Sequence, residues 1–329
     1  MNILVTGGAG FIGSHLCEYL NKKKNIKRIV IIDNLEDGSK KNLSTVANSK
    51  KIKLFKCDIR NLNSIKSKFK NIDCVVHLAA LSDIVPSITD PVNYLNTNVM
   101  GTMNVLECMR KNRVNKIIYA ASSSCYGIPN KYPTPEKQKI DPKYPYAFSK
   151  NIGERTIKHW SNVYGINYIS LRLFNVYGTR SRTHGAYGAA LGVFLKQKLS
   201  NSPLTIVGNG NQKRDFVYVT DVAEAFYLSI KSKIKNKIFN VGSGYPKSVN
   251  KLAKYIGGKK VFIPKRPGEP SITHADIRQI RKHLKWKPKI SLKDGVSKVL
   301  KEINYWKKAP LWTPKKIEQT TRIWFKYLK

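Results

Sequence analysis

Several features that mark special classes of protein are missing from this sequence. No apolar run approaches the roughly 18 residues of a membrane span, so we expect no transmembrane segment. Residues 2–6 already have the character of a core strand, so we expect no signal peptide. The five cysteines are odd in number and include no C-x-x-C pair, which argues against a disulfide scaffold and favours the cytoplasm. With 329 residues, 41% of them hydrophobic, and only 21 glycines and 15 prolines, the chain is expected to form two closely packed globular domains.

Acidic residues are also scarce, and the chain is strongly basic. It has 20 Asp and Glu against 60 Lys and Arg, and 47 of the basic residues are lysines. The formal net charge of +40 raises the hypothesis of nucleic-acid binding. However, the lysines are spread along the whole chain, without a recognition helix, a zinc pattern or an aromatic-basic RNA-binding strand. A solvated surface that steers anionic substrates is therefore favoured, with specific nucleic-acid binding as the alternative. The six histidines show no metal-ligand spacing, and we predict no metal.

A glycine-rich segment follows the first apolar run. Gly7, Gly10 and Gly13 form a G-x-x-G-x-x-G motif between a predicted strand and a predicted helix. Glycines here permit a tight turn, let a pyrophosphate approach the backbone, and let the helix pack closely on the strand. A second apolar run, Arg28–Ile32, ends in Asp33, whose carboxylate suits the ribose hydroxyls of adenosine. The pattern predicts a dinucleotide site in which NAD is favoured over NADP.

The alternation of strands and helices continues through the first half of the chain. Further strands are predicted at 52–57, 73–78 and 115–122, and long helices at 91–111 and 146–164. This order indicates an α/β protein with a Rossmann-type, doubly wound parallel sheet, whose ligands lie at the carboxyl ends of the strands.

A serine triplet and a Tyr–Lys pair are the candidate catalytic residues. Ser122, Ser123 and Ser124 follow a predicted strand, and Tyr146 and Lys150, spaced i and i+4, share one face of a helix. An ammonium beside a phenol lowers the pKa of the phenol, as does the positive nicotinamide ring of an oxidised cofactor. Tyr146 is therefore the expected general base, with the Ser122 hydroxyl bridging it to a sugar oxygen. Ser123 and Ser124 are expected to be auxiliary.

Together these motifs resemble the extended short-chain dehydrogenase/reductase family, and within it the nucleotide-sugar epimerases. In chain order the resemblance is carried by T-G-G-A-G-F-I-G-S-H, Asp33-Asn34, H-L-A-A, S-S-S-C-Y-G, Y-P-Y-A-F-S-K and R-L-F-N-V-Y-G, and it runs to about residue 300. It implies that Tyr146 is the base, Lys150 its electrostatic partner and a ribose ligand, and Ser122 the hydroxyl that faces the sugar. The implied NAD site is lined by Gly7, Gly10, Phe11, Ile12, Gly13, Asp33, Asn34, Asp58, Ile59, Leu78, Ala79, Ala80, Asn98, Lys150 and Phe174.

The residues that follow Ser122 bear on the reaction. The resemblance implies that dehydratases and sugar-acid decarboxylases of the family carry carboxylates at this point, where this sequence has Ser123 and Ser124. Without an acid, elimination lacks its proton donor, so removal and return of a hydride is favoured. Cys125 is interpreted as a core residue.

The predicted function is that of an NAD-dependent UDP-sugar 4-epimerase. It would act on UDP-glucose or UDP-N-acetylglucosamine through a transient 4-keto sugar. The alternatives within the family are a nucleotide-sugar dehydrogenase, reductase or dehydratase. Outside it they are a non-catalytic dinucleotide sensor or a basic nucleic-acid-binding protein.

The second half of the chain is expected to bind the nucleotide sugar. Arg214 and Arg266 match positions where arginines of the family grip the diphosphate, a task that suits a planar guanidinium. The resemblance places Asn175 at the sugar diphosphate, and Thr273 where a small residue leaves room for an N-acetyl group. The remaining implied contacts are to the sugar from Ala189 and Ala190 and, from the backbone near Thr205 and Val207, to a uridine base.

The domain division, the oligomeric state and the tail complete these expectations. Residues 1–176 with about 215–243 are predicted to form the NAD-binding domain, and 177–214 with about 244–329 the nucleotide-sugar-binding domain. Family likeness implies a homodimer built on the helices at 91–111 and 146–164. The tail Tyr305–Lys329 carries aromatics between lysines and is expected to pack as a helix, with binding of single-stranded nucleic acid or a membrane surface as alternatives. The basic residues at 180–184 either contact a charged sugar or stay solvated.

Overall fold

Thirteen strands and twelve α-helices are present in the part of the chain that the structure describes. The structure, a computed structural model, describes residues 1–181 and 190–328. In chain order the strands are β1 (Asn2–Thr6), β2 (Arg28–Asp33), β3 (Ile52–Lys56), β4 (Cys74–His77), β5 (Lys116–Ser122), β6 (Asn167–Leu173), β7 (Asn175–Tyr177), β8 (Leu204–Val207), β9 (Lys213–Arg214), β10 (Phe216–Tyr218), β11 (Lys237–Val241), β12 (Lys247–Ser248) and β13 (Lys260–Ile263). The helices are α1 (Phe11–Asn21), α2 (Leu62–Ile65), α3 (Ile84–Thr89), α4 (Pro91–Leu95), α5 (Gly101–Lys111), α6 (Pro145–Tyr164), α7 (Ala190–Leu199), α8 (Val219–Lys231), α9 (Val249–Ile256), α10 (Arg278–Leu284), α11 (Leu292–Lys301) and α12 (Pro314–Tyr327).

Seven parallel strands form the central sheet, in the order β11–β6–β5–β4–β1–β2–β3. From β1 the chain adds β2 and β3 toward one edge of the sheet, and from β4 it adds β5, β6 and β11 toward the other. The order of the strands therefore reverses between β1 and β4, and at such a switch point the carboxyl ends of the strands open a crevice for ligands. In the register of these strands, Val5 of β1 is paired with Ile31 of β2 on one side and with Val76 of β4 on the other. The predicted doubly wound parallel sheet is confirmed.

The sheet is buried on both faces, which explains why its strands are near-continuous apolar runs. Ile3 and Val5 of β1 pack into the core on one face, while Leu4 between them packs into the core on the other. Helices α1 and α8 pack against each other, and α5 packs against α6. The strands predicted at 52–57, 73–78 and 115–122 agree with β3, β4 and β5 to within one residue at each end.

The long helix predicted over 91–111 is interrupted by a wider turn. Between α4 and α5 the chain forms a π-helical turn, Asn96–Met100. Turns of this type are rare and frequently mark functional sites. The turn contains the buried residue Asn98, whose contacts are described below.

A second core lies in the later part of the chain. Strands β8 and β13 pair in parallel, and α7, α9 and α11 contribute to the same apolar cluster. Helix α10 instead packs on β11, and Ile280 and Trp286 are buried in the core of the central sheet. In the tail, the side chains of Trp306 and Trp324 are buried, whereas Tyr327 is exposed. None of the helices in the described residues combines the length and apolarity that crossing a bilayer demands.

Candidate active site

The glycine loop between β1 and α1 has no room for side chains. Gly7 has φ +70°, and a Cβ placed on it would lie 2.7 Å from the backbone nitrogen of Ala79. A Cβ on Gly13 would overlap the carbonyl oxygen of Gly7 and lie 2.7 Å from Cα of Gly8. Gly10 is the N-cap of α1 and provides no side-chain cap, so the first N–H groups of the helix are available to an anion. The loop therefore fits the pyrophosphate of a dinucleotide.

Asp33 ends β2 beside this loop. Its carboxylate accepts hydrogen bonds of 2.9 Å from the backbone N–H groups of Ala9 and Leu35, one on each oxygen. Burial raises the pKa of Asp33, and these two hydrogen bonds oppose the rise. Because a carboxylate oxygen accepts more than one hydrogen bond, both oxygens remain able to bind the hydroxyls of a ribose.

A cavity of about 880 Å³ runs from the glycine loop to the carboxyl end of β5. All but one of the residues predicted to bind the cofactor line it, together with Ser122 and Tyr146. Its lining also includes residues that sequence reasoning did not assign to the cofactor site, among them Lys41, Asn42, Arg180, Tyr305, Lys307 and Lys308. The Tyr305 hydroxyl donates to the side-chain oxygen of Asn42 at 3.0 Å, so the later part of the chain closes this end of the cavity.

Asn98 is the exception, and the structure corrects its predicted role. It is absent from the cavity lining because its side chain is turned toward the protein. Its amide oxygen accepts from Leu81 N at 2.8 Å, and its amide nitrogen donates to Leu81 O at 2.9 Å and to Ser149 Oγ at 2.8 Å. Asn98 thus fixes the loop after β4 to α6, and acts on the site through the residues that it holds.

The serine triplet and the tyrosine meet at the end of β5. Ser122 Oγ lies 2.7 Å from Ser124 Oγ and accepts a hydrogen bond from Ser124 N. Tyr146 lies in the first turn of α6, where its interaction with Ser122 favours a lower pKa of the phenol. Cys125 is buried, and burial raises its pKa, as expected for a core thiol.

Lys150 lies one turn after Tyr146 and is almost fully buried. Its Nζ is 4.2 Å from the centroid of the Tyr119 ring, and the Tyr119 hydroxyl donates to the Lys150 carbonyl at 3.4 Å. Burial lowers the pKa of Lys150 to about 7, and the neighbouring Glu154 opposes this shift. Sequence reasoning missed Tyr119, since an aromatic residue within an apolar strand has the pattern of any core residue.

The pKa of Tyr146 is raised in this structure, in contrast to the lowering expected from the Tyr–Lys pair. Burial is the main cause, the negative charge of Asp83 adds to it, and the hydrogen bond with Ser122 opposes it. The ammonium of Lys150 packs on Tyr119 instead, and burial lowers its own pKa.

The arginines predicted to grip a diphosphate form one cluster. Arg214 Nη2 lies 3.2 Å from one carboxylate oxygen of Glu269, and Arg266 Nη1 lies 3.1 Å from the other. Both guanidinium groups are mostly buried, and the cluster carries a net positive charge. Glu269 was missed, although its position three residues after Arg266 is the signal that could have found it.

The other residues predicted to bind the substrate do not form a single cluster. The Thr273 hydroxyl donates to the side-chain oxygen of Asn175 at 2.8 Å and accepts from Asp215 N, so these residues form one unit. Thr205 is buried and bonds Gln197, and the strand from Thr205 to Val207 is paired with β13. Ala190 opens α7, and Ala189 lies outside the described residues, as do the basic residues at 182–184. Of these residues, those that the structure describes do not line the cavity described above, nor do Arg214 and Arg266.

No group of three or more His, Cys, Asp or Glu side chains within residues 1–181 and 190–328 is arranged to hold a metal ion.

The sequence and the fold are similar to those of known proteins. Residues 3–242 match the model of the NAD dependent epimerase/dehydratase family. A protein of Methanocaldococcus jannaschii with the provisional name UDP-glucose 4-epimerase is 40% identical over 306 residues, which cover 91% of this chain and 97% of the relative.

Two solved structures are similar over nearly the whole chain. The UDP-glucose 4-epimerase of Thermotoga maritima with UDP-glucose has a TM-score of 0.85 and 31% identity, and the match covers 94% of this chain and 99% of that one. The UDP-glucuronic acid 4-epimerase of Bacillus cereus, in complex with UDP-glucuronic acid and NAD, has a TM-score of 0.86 and 31% identity over 93% of this chain and 99% of that one.

Proposed function

This chain belongs to the NAD-dependent epimerase/dehydratase family, and we propose that it is a UDP-sugar 4-epimerase that acts through a transient 4-keto sugar. NAD is the cofactor of the family, and the glycine loop and Asp33 provide a site that suits it. The substrates proposed first are UDP-glucose and UDP-N-acetylglucosamine.

One observation supports epimerisation above the other reactions of the family. The Ser122 hydroxyl contacts Tyr146 on one side and the Ser124 hydroxyl on the other, at the end of the cofactor cavity. A hydroxyl at Ser124 does not supply the acid that elimination of water requires. The Ser122 hydroxyl is suited instead to moving one proton between Tyr146 and a sugar hydroxyl.

The residues of this chain have separate tasks in the proposed reaction. Tyr146 accepts the proton of the C4 hydroxyl through a hydrogen-bond path that includes Ser122, and later returns a proton to the C4 oxygen. Lys150 holds the ribose of the cofactor. When bound, NAD supplies hydride acceptance and donation at C4, so the reaction has no net redox change.

The arginine cluster provides the site for the nucleotide. Arg214 and Arg266 bind the diphosphate, because two guanidinium groups held by one carboxylate retain a net positive charge. Asn175 and Thr273 are bonded to each other and Thr273 to Asp215, the residue after Arg214, and the short side chain of Thr273 suits either a hydroxyl or an N-acetyl group at C2 of the sugar.

We also propose a homodimer in the cytoplasm. The two long helical segments, residues 91–111 and α6, pack side by side and expose large apolar side chains to solvent. Such a surface suits burial against a second copy. All five cysteines are free thiols, which suits a reducing compartment.

A panel of nucleotide sugars tests the proposed activity. The purified protein is incubated with UDP-glucose, UDP-N-acetylglucosamine, UDP-glucuronic acid and, as a control for the base, dTDP-glucose. Proton NMR should show the C4 epimer of a UDP-sugar, with no net change in NADH absorbance. Net formation of NADH would indicate a dehydrogenase, a deoxysugar product would indicate a dehydratase, and the absence of any product would reject the proposal.

A further inference from the structure

The last helix crosses from the second core to the nucleotide-binding side of the molecule. Just before this helix, the carbonyl of Trp312 accepts a hydrogen bond of 2.7 Å from the Gln197 side chain, and in its first turn Ile317 is buried in the second core. Farther along, α12 packs against α3, which begins directly after Asp83. Asp83 is a neighbour of Tyr146, so α12 reaches the surroundings of the catalytic site.

Trp324 anchors this helix to the loop that carries Arg266. Its indole is buried, and its Nε1–H donates to the carbonyl of Pro267 at 2.8 Å. The Arg266 guanidinium lies over the indole, with its Cζ 5.3 Å from the ring centroid. Arg266 is therefore held by the Trp324 ring and by the carboxylate of Glu269.

The same indole is also close to the aromatic residues that begin α6. The ring centroids of Trp324 and Tyr144 are 6.2 Å apart, and Tyr144 in turn stacks on Tyr146 at 6.4 Å with an interplanar angle of 11°. One row of four contacting residues thus joins the proposed base to the proposed diphosphate arginine, and Trp324 lies between Tyr144 and Arg266 in it.

We infer that Trp324 is a positioning residue of the nucleotide-sugar site, which holds the Arg266 guanidinium in place for the diphosphate of the substrate. The inference rests on the proposed function, since it takes the diphosphate of a UDP-sugar as the ligand of Arg266. An aromatic face attracts a guanidinium, and the bond to Pro267 fixes the backbone that carries it. Arg266 is then ordered before the ligand arrives. Because its side chain loses little conformational entropy on binding, less of the binding free energy is spent on ordering it.

Titration calorimetry with UDP as the probe tests this role on the full-length, NAD-loaded protein. In Trp324→Leu we expect UDP affinity to fall about tenfold, from the loss of the aromatic face and of the anchor. In Trp324→Phe, which keeps an aromatic ring and loses only the N–H donor, we expect a smaller fall of about threefold. Phe325→Leu is the matched control, because Phe325 is the next residue on α12 and is partly exposed.

Steady-state kinetics separate positioning from a purely structural effect. In Trp324→Leu the KM for the UDP-sugar should rise while kcat stays within about twofold, because Trp324 does not line the cofactor cavity. NAD binding, measured by fluorescence, should be unchanged in all three variants.

The outcomes distinguish this inference from the proposed function. Wild-type affinity for UDP in both Trp324 variants would overturn the inference. Tighter binding in Trp324→Leu would also overturn it, because it would mean that the indole competes with the nucleotide. A wild-type protein that binds NAD but not UDP would reject the proposed function itself.

Discussion

The ammonium of Lys150 lies 4.2 Å from the centroid of the Tyr119 ring, so a residue of β5 supports a residue of α6 across the core. The buried cation has lost much of its hydration, and an aromatic face replaces part of it. The Tyr119 hydroxyl adds a hydrogen bond to the Lys150 backbone. Tyr119 therefore stabilises the charged form of the lysine that holds the cofactor ribose in the proposed reaction.

Replacing this ring should alter the pH dependence of the enzyme. In Tyr119→Leu we expect kcat/KM to fall about tenfold, and its alkaline limb to move to lower pH, since the charged form of Lys150 is lost sooner. Tyr119→Phe, which keeps the ring face, should remain close to wild type. The measurement is the pH–rate profile of UDP-sugar epimerisation. Tyr168→Leu on β6 controls for lost packing, and an unshifted profile in Tyr119→Leu would contradict this role.

Removal of the Tyr146 hydroxyl should abolish turnover and spare cofactor binding. In Tyr146→Phe we expect kcat to fall by about 10²–10⁴, the usual contribution of a general acid–base group. NAD affinity should stay within about threefold of wild type, because the glycine loop and Asp33 are unchanged. Epimer formation by NMR and NAD titration by fluorescence are the two measurements. Tyr245→Phe, at an exposed position, is the control, and appreciable turnover in Tyr146→Phe would remove Tyr146 from its proposed role.

The parts of the fold that depend on local pattern could be predicted from the sequence. The apolar run Asn2–Thr6, the glycine motif and Asp33 are close in sequence, and their periodicity and spacing are tied to one supersecondary unit. Five of the seven strands of the sheet, β1 to β5, followed from the same reasoning, whereas most of the residues of the cofactor cavity were implied by the family resemblance.

The features that could not be predicted depend on contacts between distant segments. Asn98 turns toward Leu81 and Ser149 because of the π-helical turn, and no spacing rule distinguishes such a turn from a regular helix. Similarly, the raised pKa of Tyr146 comes mainly from its burial, which depends on the packing of distant segments. The contact of Trp324 with Arg266 joins two segments of the second half of the chain, and composition shows only that the tail is aromatic and basic.

The burial of Lys150 should make stability depend on pH in the cofactor-free protein. Its pKa is about 7 in the folded protein and about 10.4 in an unfolded chain. Below pH 7 both states are protonated; between these values the unfolded state binds more protons, so the free energy of unfolding should rise with pH. In Lys150→Met this dependence is removed. We therefore expect the difference in unfolding free energy, wild type minus variant, to increase by about 2 kcal/mol between pH 7 and pH 9.

Urea denaturation at a series of pH values measures this difference. Lys293→Met is the matched control, because it removes a solvent-exposed lysine on α11 and should show a difference that is independent of pH. A difference for Lys150→Met that stays constant from pH 7 to pH 9 would mean that the lysine keeps its ordinary pKa in the folded protein.

The proposed homodimer can be tested on the apolar surface of the two long helical segments. Met100 is 50% exposed and Val163 is 55% exposed, and they belong to the π-helical turn and to α6 respectively. A charge buried in an interface without a partner is strongly unfavourable, so the double variant Met100→Glu/Val163→Glu should weaken association by at least about a hundredfold.

Size-exclusion chromatography with light scattering should then give a mass near 37.4 kDa for the double variant and twice that mass for the wild type. Phe262→Glu provides the control, because Phe262 is 58% exposed on β13, outside the two segments, and should leave the dimer intact. A double variant that remains dimeric would show that the copies associate through another surface. A monomeric wild type would reject the dimer, and the exposed apolar side chains would then be ordinary surface residues.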